Sequence, residues 1–302
     1  IHIYFISIGS AIVHHFILMI IFYRIEPGLL VLGFVINILG IGELLGRKSF
    51  SSYSKYFLLQ KCLTITLGIG FFYAFGPNGV LYALAISYSG FIIQVIRGLR
   101  DSPIDFTTIR PRIEFIGNNY FFGVVNIVRN HIDKVIIPGI LSFTVLGNFA
   151  LAEQVISILM ILPGIVFKLI VPQDASGEST KQMKKMTIVI SAGLALLVVF
   201  IAPLVIPIFF EEYTEAISAI QILSISVIPN VVIVMLTSKF LALEKNRFPL
   251  FGRLLNLSIL VPGMIFLGLN FGINGLAIAW LCANTVEMIL LLVVFLRNRS
   301  IS

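Results

Sequence analysis

The stretch that decides the fold is Gly117–Gly139, GNNYFFGVVNIVRNHIDKVIIPG. It is long and apolar enough to cross a bilayer, which takes about 20 residues, yet it carries Arg129, Asp133 and Lys134. A charged side chain near the bilayer centre costs about 2.5–3.5 kcal/mol to insert, so such residues usually face protein or water. The stretch therefore predicts a helix that lines a polar cavity inside a membrane protein.

One narrow face of this predicted helix is polar. At 100° per residue the face carries small and polar residues, namely Asn119, Gly123, Asn126, Asn130 and Asp133. Arg129 and Lys134 flank it on either side. An alternative is that Arg129 and Asp133, four residues apart, only neutralise each other between helices. The three asparagines favour the cavity, because an ion pair does not need them.

The composition is that of an all-α polytopic membrane protein. Of 302 residues, 58% are hydrophobic and 12% are charged, whereas soluble domains are about 25% charged. The two cysteines, Cys62 and Cys282, lie in apolar segments and form neither a disulfide framework nor a metal-ligand spacing. We therefore expect no metal and no cofactor.

The hydropathy pattern predicts ten spanning helices. They are 1–23, 28–45, 53–75, 78–97, 114–137, 146–171, 186–210, 216–243, 249–269 and 273–296. With this count, 18 of the 21 basic residues fall on one side, which the positive-inside rule makes cytoplasmic. The C-terminus is then cytoplasmic as well. Topology and anionic lipid headgroups account for the net charge of +7, so no nucleic-acid partner is expected.

A short motif occurs twice in the chain. FGPNGV at 75–80 returns as FGINGL at 271–276, an offset of 196 residues, and each copy opens a helix that ends in arginine. Parallel repeats of this kind occur in transporters built from two related halves, although a shared tight turn would give the same motif. The repeat predicts four helices of an N-terminal lobe in 1–100, a cytoplasmic linker in 101–112 and a six-helix lobe in 113–302. Two helices are then expected upstream of Ile1.

Several further motifs carry a resemblance to a known family. Besides the asparagine-rich helix with Arg129 and Asp133, they are GNFALA at 147–152, LPG at 162–164 before VP at 171–172, LALEK at 241–245 before Arg247, and FGINGLAIA at 271–279. With these motifs the chain resembles the polysaccharide flippases of the Wzx type. That family belongs to the superfamily that also includes multidrug and toxic-compound extruders and lipid II flippases.

The resemblance implies a fold, a cargo and a location. The fold would be two six-helix lobes around a central cavity that opens alternately to each side of the cytoplasmic membrane. The cargo would be an oligosaccharide linked to undecaprenyl or another polyprenyl pyrophosphate, with membrane lipids and glycan polymerase machinery as further partners. Lipid II remains an alternative cargo.

Two other classes of protein compete with the flippase. A cation or drug antiporter would favour an acidic and aromatic cavity, which the basic pair Arg129 and Lys134 argues against. A membrane enzyme such as a glycan polymerase would want a sizeable outer loop with catalytic residues, and the predicted outer loops are short. We therefore expect a transporter rather than an enzyme.

The candidate site residues fall into two groups. For the substrate, Arg129 and Lys134 could hold phosphates, because arginine binds phosphate through two parallel hydrogen bonds and lysine offers a compact charge. Asn119, Asn126 and Asn130 complete this set, with Asn126 and Asn130 placed to bind sugar hydroxyls.

The second group is acidic. Asp133, Glu153 and Glu287 are intramembrane carboxyl groups that could couple transport to an ion or proton gradient. Equally, Glu153 could form a static salt bridge with Lys134, and neighbouring hydroxyls could satisfy Glu287. Arg253 lies near a predicted cytoplasmic helix end, where snorkelling to the surface would suffice.

Overall fold

The computed structural model describes residues 25–100 and 110–297, and these residues form helices joined by short turns. The predicted all-α, polytopic class is confirmed. The chain divides into two compact units, Ile1–Arg112 and Ile113–Ser302. The predicted helix 1–23 and most of the predicted linker lie outside the described residues.

The described part of the first unit is a bundle of four helices. They are α1 (Glu26–Gly46), α2 (Phe50–Phe75), α3 (Pro77–Tyr88) and α4 (Ile92–Arg100), with a 3-10 turn at Ser89–Phe91 between the last two. Helix α1 packs against both α3 and α4. The approach is close at Gly33, where an added Cβ atom would lie 2.6 Å from the carbonyl oxygen of Ala85.

The second unit is larger and contains the polar stretch. Its helices are α5 (Ile113–His131), α6 (Asp133–Ile140), α7 (Phe143–Leu159), α8 (Ile161–Ala175), α9 (Lys181–Phe209), α10 (Ala216–Ala242) and α11 (Arg247–Arg297). Helix α10 is the central element, since it packs against α7, α8, α9 and α11. The core of the unit includes Leu223 and Val227 of α10 together with Phe149 and Leu276.

Helix α11 is a hairpin rather than one rod. Its 51 residues would span about 77 Å at 1.5 Å per residue, far more than a hydrocarbon core of about 30 Å. At Gly272 the backbone leaves the helical region, with φ 58° and ψ −138°, a conformation that glycine adopts without strain. We call residues 247–271 the N-terminal arm and residues 273–297 the C-terminal arm.

The same hairpin joins α2 and α3. Gly76 has φ 68° and ψ −157°, close to the values at Gly272. A Cβ atom on Gly79 would lie 2.0 Å from the carbonyl oxygen of Phe71, and one on Gly275 would lie 1.9 Å from that of Leu267. The two copies of the FGxNG motif therefore build the same turn, an agreement that a duplicated lobe and a shared turn would each produce.

Two predicted single helices are broken. The predicted helix 146–171 is the pair α7 and α8, bent by 44°, and the bend places Pro163 in the first turn of α8, where its missing N–H needs no partner. The predicted helix 114–137 ends at His131 and resumes at Asp133. Among the described residues, six helical segments are long and apolar enough to cross a membrane, or seven if the bent pair counts as one span. This count takes Pro77–Gly98 as one segment across the 3-10 turn and the whole hairpin α11 as one.

Candidate substrate cavity

A cavity of about 430 Å³ lies within the second unit. Its lining is mainly polar and charged, and comprises Asn126, Arg129, Asn130, Lys134, Glu153, Ile156, Ser157, Met160, Leu223, Asn230, Arg253 and Trp280. Helices α5, α6, α7, α10 and both arms of α11 contribute to it. The polar stretch from which the sequence argument began therefore faces a cavity.

Arg129 is the most completely held charge in this cavity. It is only 4% exposed, and its guanidinium donates to three side-chain amide oxygens, those of Asn130 at 3.1 Å, Asn256 at 3.3 Å and Asn284 at 2.8 Å. The guanidinium carbon also lies 4.1 Å from the ring centre of Trp280, within the range of a cation–π interaction.

No carboxylate among the described residues lies within ion-pair distance of Arg129. The positive charge is thus held by neutral dipoles and an aromatic face. The alternative prediction was an ion pair between Arg129 and Asp133. It is wrong, because Asp133 pairs with Lys134.

Lys134 joins two carboxylates in a three-residue ionic cluster. Its ammonium lies 2.7 Å from the Asp133 carboxylate and 2.7 Å from the Glu153 carboxylate. Lys134 is 43% exposed and Glu153 is 18% exposed, whereas the Asp133 side chain is fully buried. The ion pair that one sequence interpretation assigned to Glu153 is therefore present.

A second buried ion pair connects the two arms of α11. Arg253 of the N-terminal arm lies 3.3 Å from Glu287 of the C-terminal arm, and both side chains are nearly inaccessible. The prediction that Arg253 snorkels to a surface is wrong, because the packing of the arms buries its guanidinium beside this carboxylate. Glu287 is likewise not satisfied by hydroxyl groups, since no hydrogen bond reaches either of its carboxylate oxygens within the described structure.

The residues that line the cavity include more cations than carboxylates. Its lining contains three cations, Arg129, Lys134 and Arg253, and one carboxylate, Glu153. The other two carboxylates, Asp133 and Glu287, are buried behind the lining. The lining therefore carries a formal excess of two positive charges, which the two buried carboxylates behind it balance.

The structure brings together most of the predicted site residues. Five of the predicted eight line the cavity, namely Asn126, Arg129, Asn130, Lys134 and Glu153. Asp133 and Glu287 reach it only through their ion pairs, and Asn119 is not among the lining residues. Sequence reasoning missed Trp280, Asn230 and the amide acceptor Asn256. These residues lie on α10 and on the two arms of α11, and only the packing of these helices brings them to Arg129 or its cavity.

Within the described residues, no group of histidine, cysteine and acidic side chains is arranged to hold a metal ion. The hydrogen-bonding groups of the cavity suit a ligand with many oxygen atoms. Amide groups of Asn126, Asn130 and Asn230 and the hydroxyl of Ser157 lie beside the three cations, and such groups both donate and accept hydrogen bonds.

Comparison with known proteins places the fold. No protein-family model and no curated protein matches the chain, but solved structures of MATE transporters do. A MATE structure in the bent conformation matches with a TM-score of 0.73 and 18% identity, over 91% of this chain and 67% of that one. The MATE transporter ClbM in complex with Rb⁺ matches with a TM-score of 0.67 and 16% identity, over 89% and 65%.

A third match is a MOP superfamily transporter from Pyrococcus furiosus, described as having a binding pocket of reverse polarity that suggests a different function. Its TM-score is 0.66 at 18% identity, over 91% of this chain and 69% of that one. The chain thus has the fold of MATE transporters and spans about two thirds of their length.

Proposed function

We propose that this chain belongs to a membrane transporter that works by alternating access and carries an oligosaccharide linked to a polyprenyl pyrophosphate from the cytoplasmic to the outer leaflet. The MATE transporter fold supports the transport class. The observation that carries the choice of cargo is the cavity lining, with three cations against one carboxylate. A pyrophosphate headgroup needs cationic partners, and its glycan needs amide and hydroxyl groups.

Each part of such a cargo has a partner in the cavity. Lys134 is the cation most open to the cavity, with 43% of its side chain exposed, so it would meet the phosphates first. Arg129 lies deeper and would attract the headgroup through its charge. Asn126 and Asn130 would hydrogen-bond to sugar hydroxyls, as would Ser157. Asn119, which does not line the cavity, would contribute only after a change of conformation.

The carboxylates would couple the same transport cycle to an ion or proton gradient. Asp133 has one carboxylate oxygen that accepts no hydrogen bond within the described structure, while its other oxygen shares Lys134 with Glu153. One ammonium between two carboxylates leaves a formal charge of −1, which a proton or a monovalent cation would neutralise. Glu287 is a further carboxyl group with unsatisfied oxygens. A transport rate that ignores proton and sodium gradients would remove this role.

The second candidate is a cation-coupled antiporter for drugs. MATE transporters dominate the matching structures, which favours this alternative. The basic lining argues against it. The Pyrococcus protein, with its reverse-polarity pocket, indicates that this fold is not tied to one pocket charge. Lipid II is an alternative cargo, because it too carries a pyrophosphate.

The test uses the full-length gene in its host. We expect that its deletion makes a polyprenyl-linked glycan accumulate on the cytoplasmic side and that the intact gene restores export. Arg129→Ala should fail to restore export at wild-type protein level. Arg297→Ala, at the exposed end of α11, is the matched control and should succeed.

The outcomes separate the candidate functions. Full rescue by Arg129→Ala would overturn the role of this arginine. No accumulation after deletion, together with increased sensitivity to cationic drugs, would overturn the flippase and favour the antiporter. A reporter fused after Ser302 tests the expected location of the C-terminus in the cytoplasm.

A further inference from the structure

A second and larger cavity lies within the same unit, beside α9, α10 and the C-terminal arm of α11. Its volume is about 620 Å³. Apolar side chains form much of its wall, among them Ile188, Val232, Met235, Leu236 and Phe295. This cavity shares no lining residue with the substrate cavity, so transport of the cargo does not explain it.

Four lysines line one end of this cavity together with two carboxylates, Asp174 and Glu178, so the lysines are in excess by two charges. Lys181, Lys184 and Lys185 lie in the first two turns of α9, and Lys239 lies in the last turn of α10. The apolar wall follows deeper along the same two helices. Cationic groups above an apolar cavity are the pattern that an anionic amphiphile requires, since the headgroup and the acyl chain need opposite environments.

Only one of these lysines forms an ion pair with a carboxylate of the described residues. Lys184 pairs with the buried carboxylate of Asp174, which also accepts hydrogen bonds from the hydroxyls of Thr180 at 2.6 Å and Ser238 at 3.2 Å. For Lys181, Lys185 and Lys239, the described residues provide no ion-pair partner.

Two further features make the electrostatic potential at this end of the cavity more positive. Lys239 is half-buried and close enough to Lys184 for the two ammonium groups to repel each other. Helix α9 begins at Lys181, so the positive end of its dipole adds to the field at the same point.

The cavity also adjoins an exposed, largely apolar surface of α9. A neighbouring cavity of about 410 Å³ shares Lys185 and Val189 with it and runs along the outer face of α9 past Met186 and Ile190. These apolar side chains are 46–62% exposed on a helix apolar enough to span a membrane. An acyl chain could therefore leave the cavity along the apolar side chains of Met186, Val189 and Ile190.

We propose that this cavity is a binding site for an anionic phospholipid, whose phosphate contacts Lys181, Lys185 and Lys239 and whose acyl chain occupies the apolar wall. The positive-inside rule explains why lysines lie on this side of the membrane. It does not explain why they surround an apolar cavity in the protein. The site is separate from the transport cavity and would act whatever the cargo is.

The test measures lipid binding to the purified full-length protein by native mass spectrometry. The probes are phosphatidylglycerol and phosphatidylcholine with identical acyl chains. Each lysine near an anionic headgroup contributes roughly fivefold in affinity, so the triple variant Lys181→Gln, Lys185→Gln, Lys239→Gln should bind phosphatidylglycerol about 100-fold more weakly. Binding of phosphatidylcholine, which is zwitterionic, should be weak and should change little.

The control variant removes the same charge elsewhere. Lys55→Gln, Lys61→Gln, Lys245→Gln also deletes three lysines of the predicted cytoplasmic side, none of which lines this cavity, and it should bind phosphatidylglycerol as the wild type does. Equal losses in the two triple variants would overturn the proposal, because they would indicate non-specific attraction.

A second variant tests the apolar part of the site. Val232→Trp should fill the wall without changing the charge and should weaken phosphatidylglycerol at least tenfold. Soluble glycerol phosphate should compete poorly with the lipid. Full competition by glycerol phosphate, or undiminished binding to a correctly folded Val232→Trp protein, would overturn the phospholipid assignment, since the site would then recognise an anion alone.

Discussion

Arg129→Lys separates the geometry of the cavity arginine from its charge. The guanidinium uses three nitrogen atoms to reach three amide oxygens on different parts of the chain. A lysine ammonium is a single donor atom on a different stem, so it can keep about one of these bonds. The substitution retains the positive charge and removes the planar fork.

The expected loss follows from the contacts. Hydrogen bonds between helices in a membrane contribute about 0.6 kcal/mol on average and at most about 1.7 kcal/mol, and those of a charged donor belong near the upper end. Two lost bonds then cost about 2–3 kcal/mol. The weaker contact with the Trp280 ring, now at 4.1 Å, adds about 1 kcal/mol. We therefore expect unfolding free energy to fall by about 3–4 kcal/mol.

The assay is equilibrium unfolding of the purified protein in detergent, followed by circular dichroism. Arg297→Lys provides the control, because this exposed arginine should tolerate the exchange within about 0.5 kcal/mol. A loss below about 1 kcal/mol for Arg129→Lys would refute the reasoning, since it would mean that the three amide oxygens do not hold the guanidinium in solution.

Two further substitutions test the frame around the cavities. Gly272→Ala should lower the free energy of unfolding by about 1–3 kcal/mol, because φ is 58° and ψ is −138° there. The control, Gly193→Ala, lies in a helical position with open space around it and should be neutral or slightly stabilising. Equal melting temperatures for the two variants would contradict the hairpin geometry. Asp174→Asn should cost about 2–3 kcal/mol in the same unfolding measurement, because Lys184 would lose its carboxylate partner, and a stability unchanged within 0.5 kcal/mol would show that this pair contributes nothing.

The fold class could be predicted because it rests on local composition. Apolar runs of the length of a bilayer identify spanning helices without any knowledge of their neighbours. Pro163 and Gly164 predict a break or kink within the helix 146–171, and the structure has its bend at Met160, three residues before Pro163. The apolar composition continues across Met160, and hydropathy alone does not register a 44° change of direction.

The candidate site was likewise predictable only where the signal is local in the sequence. Arg129 stood out because a charge within an apolar run is costly wherever it points. Arg253 did not stand out, because it lies near a predicted helix end, where snorkelling to the membrane surface would explain its charge. Its partner Glu287 is 34 positions away and becomes a neighbour only when α11 folds back at Gly272. An ion pair between the two arms of a hairpin depends on tertiary packing, so a local sequence pattern does not predict it.

The neutral surroundings of Arg129 have a consequence for any anion that reaches it. A cation paired with a carboxylate must break that pair, or share it, before it can serve a ligand. Arg129 has amide oxygens and the Trp280 ring as its neighbours instead, and its rotamer is already fixed by them. The site is therefore preorganised: an arriving phosphate would displace no counter-ion there and would order no flexible side chain, so little of its binding free energy would be lost to reorganisation.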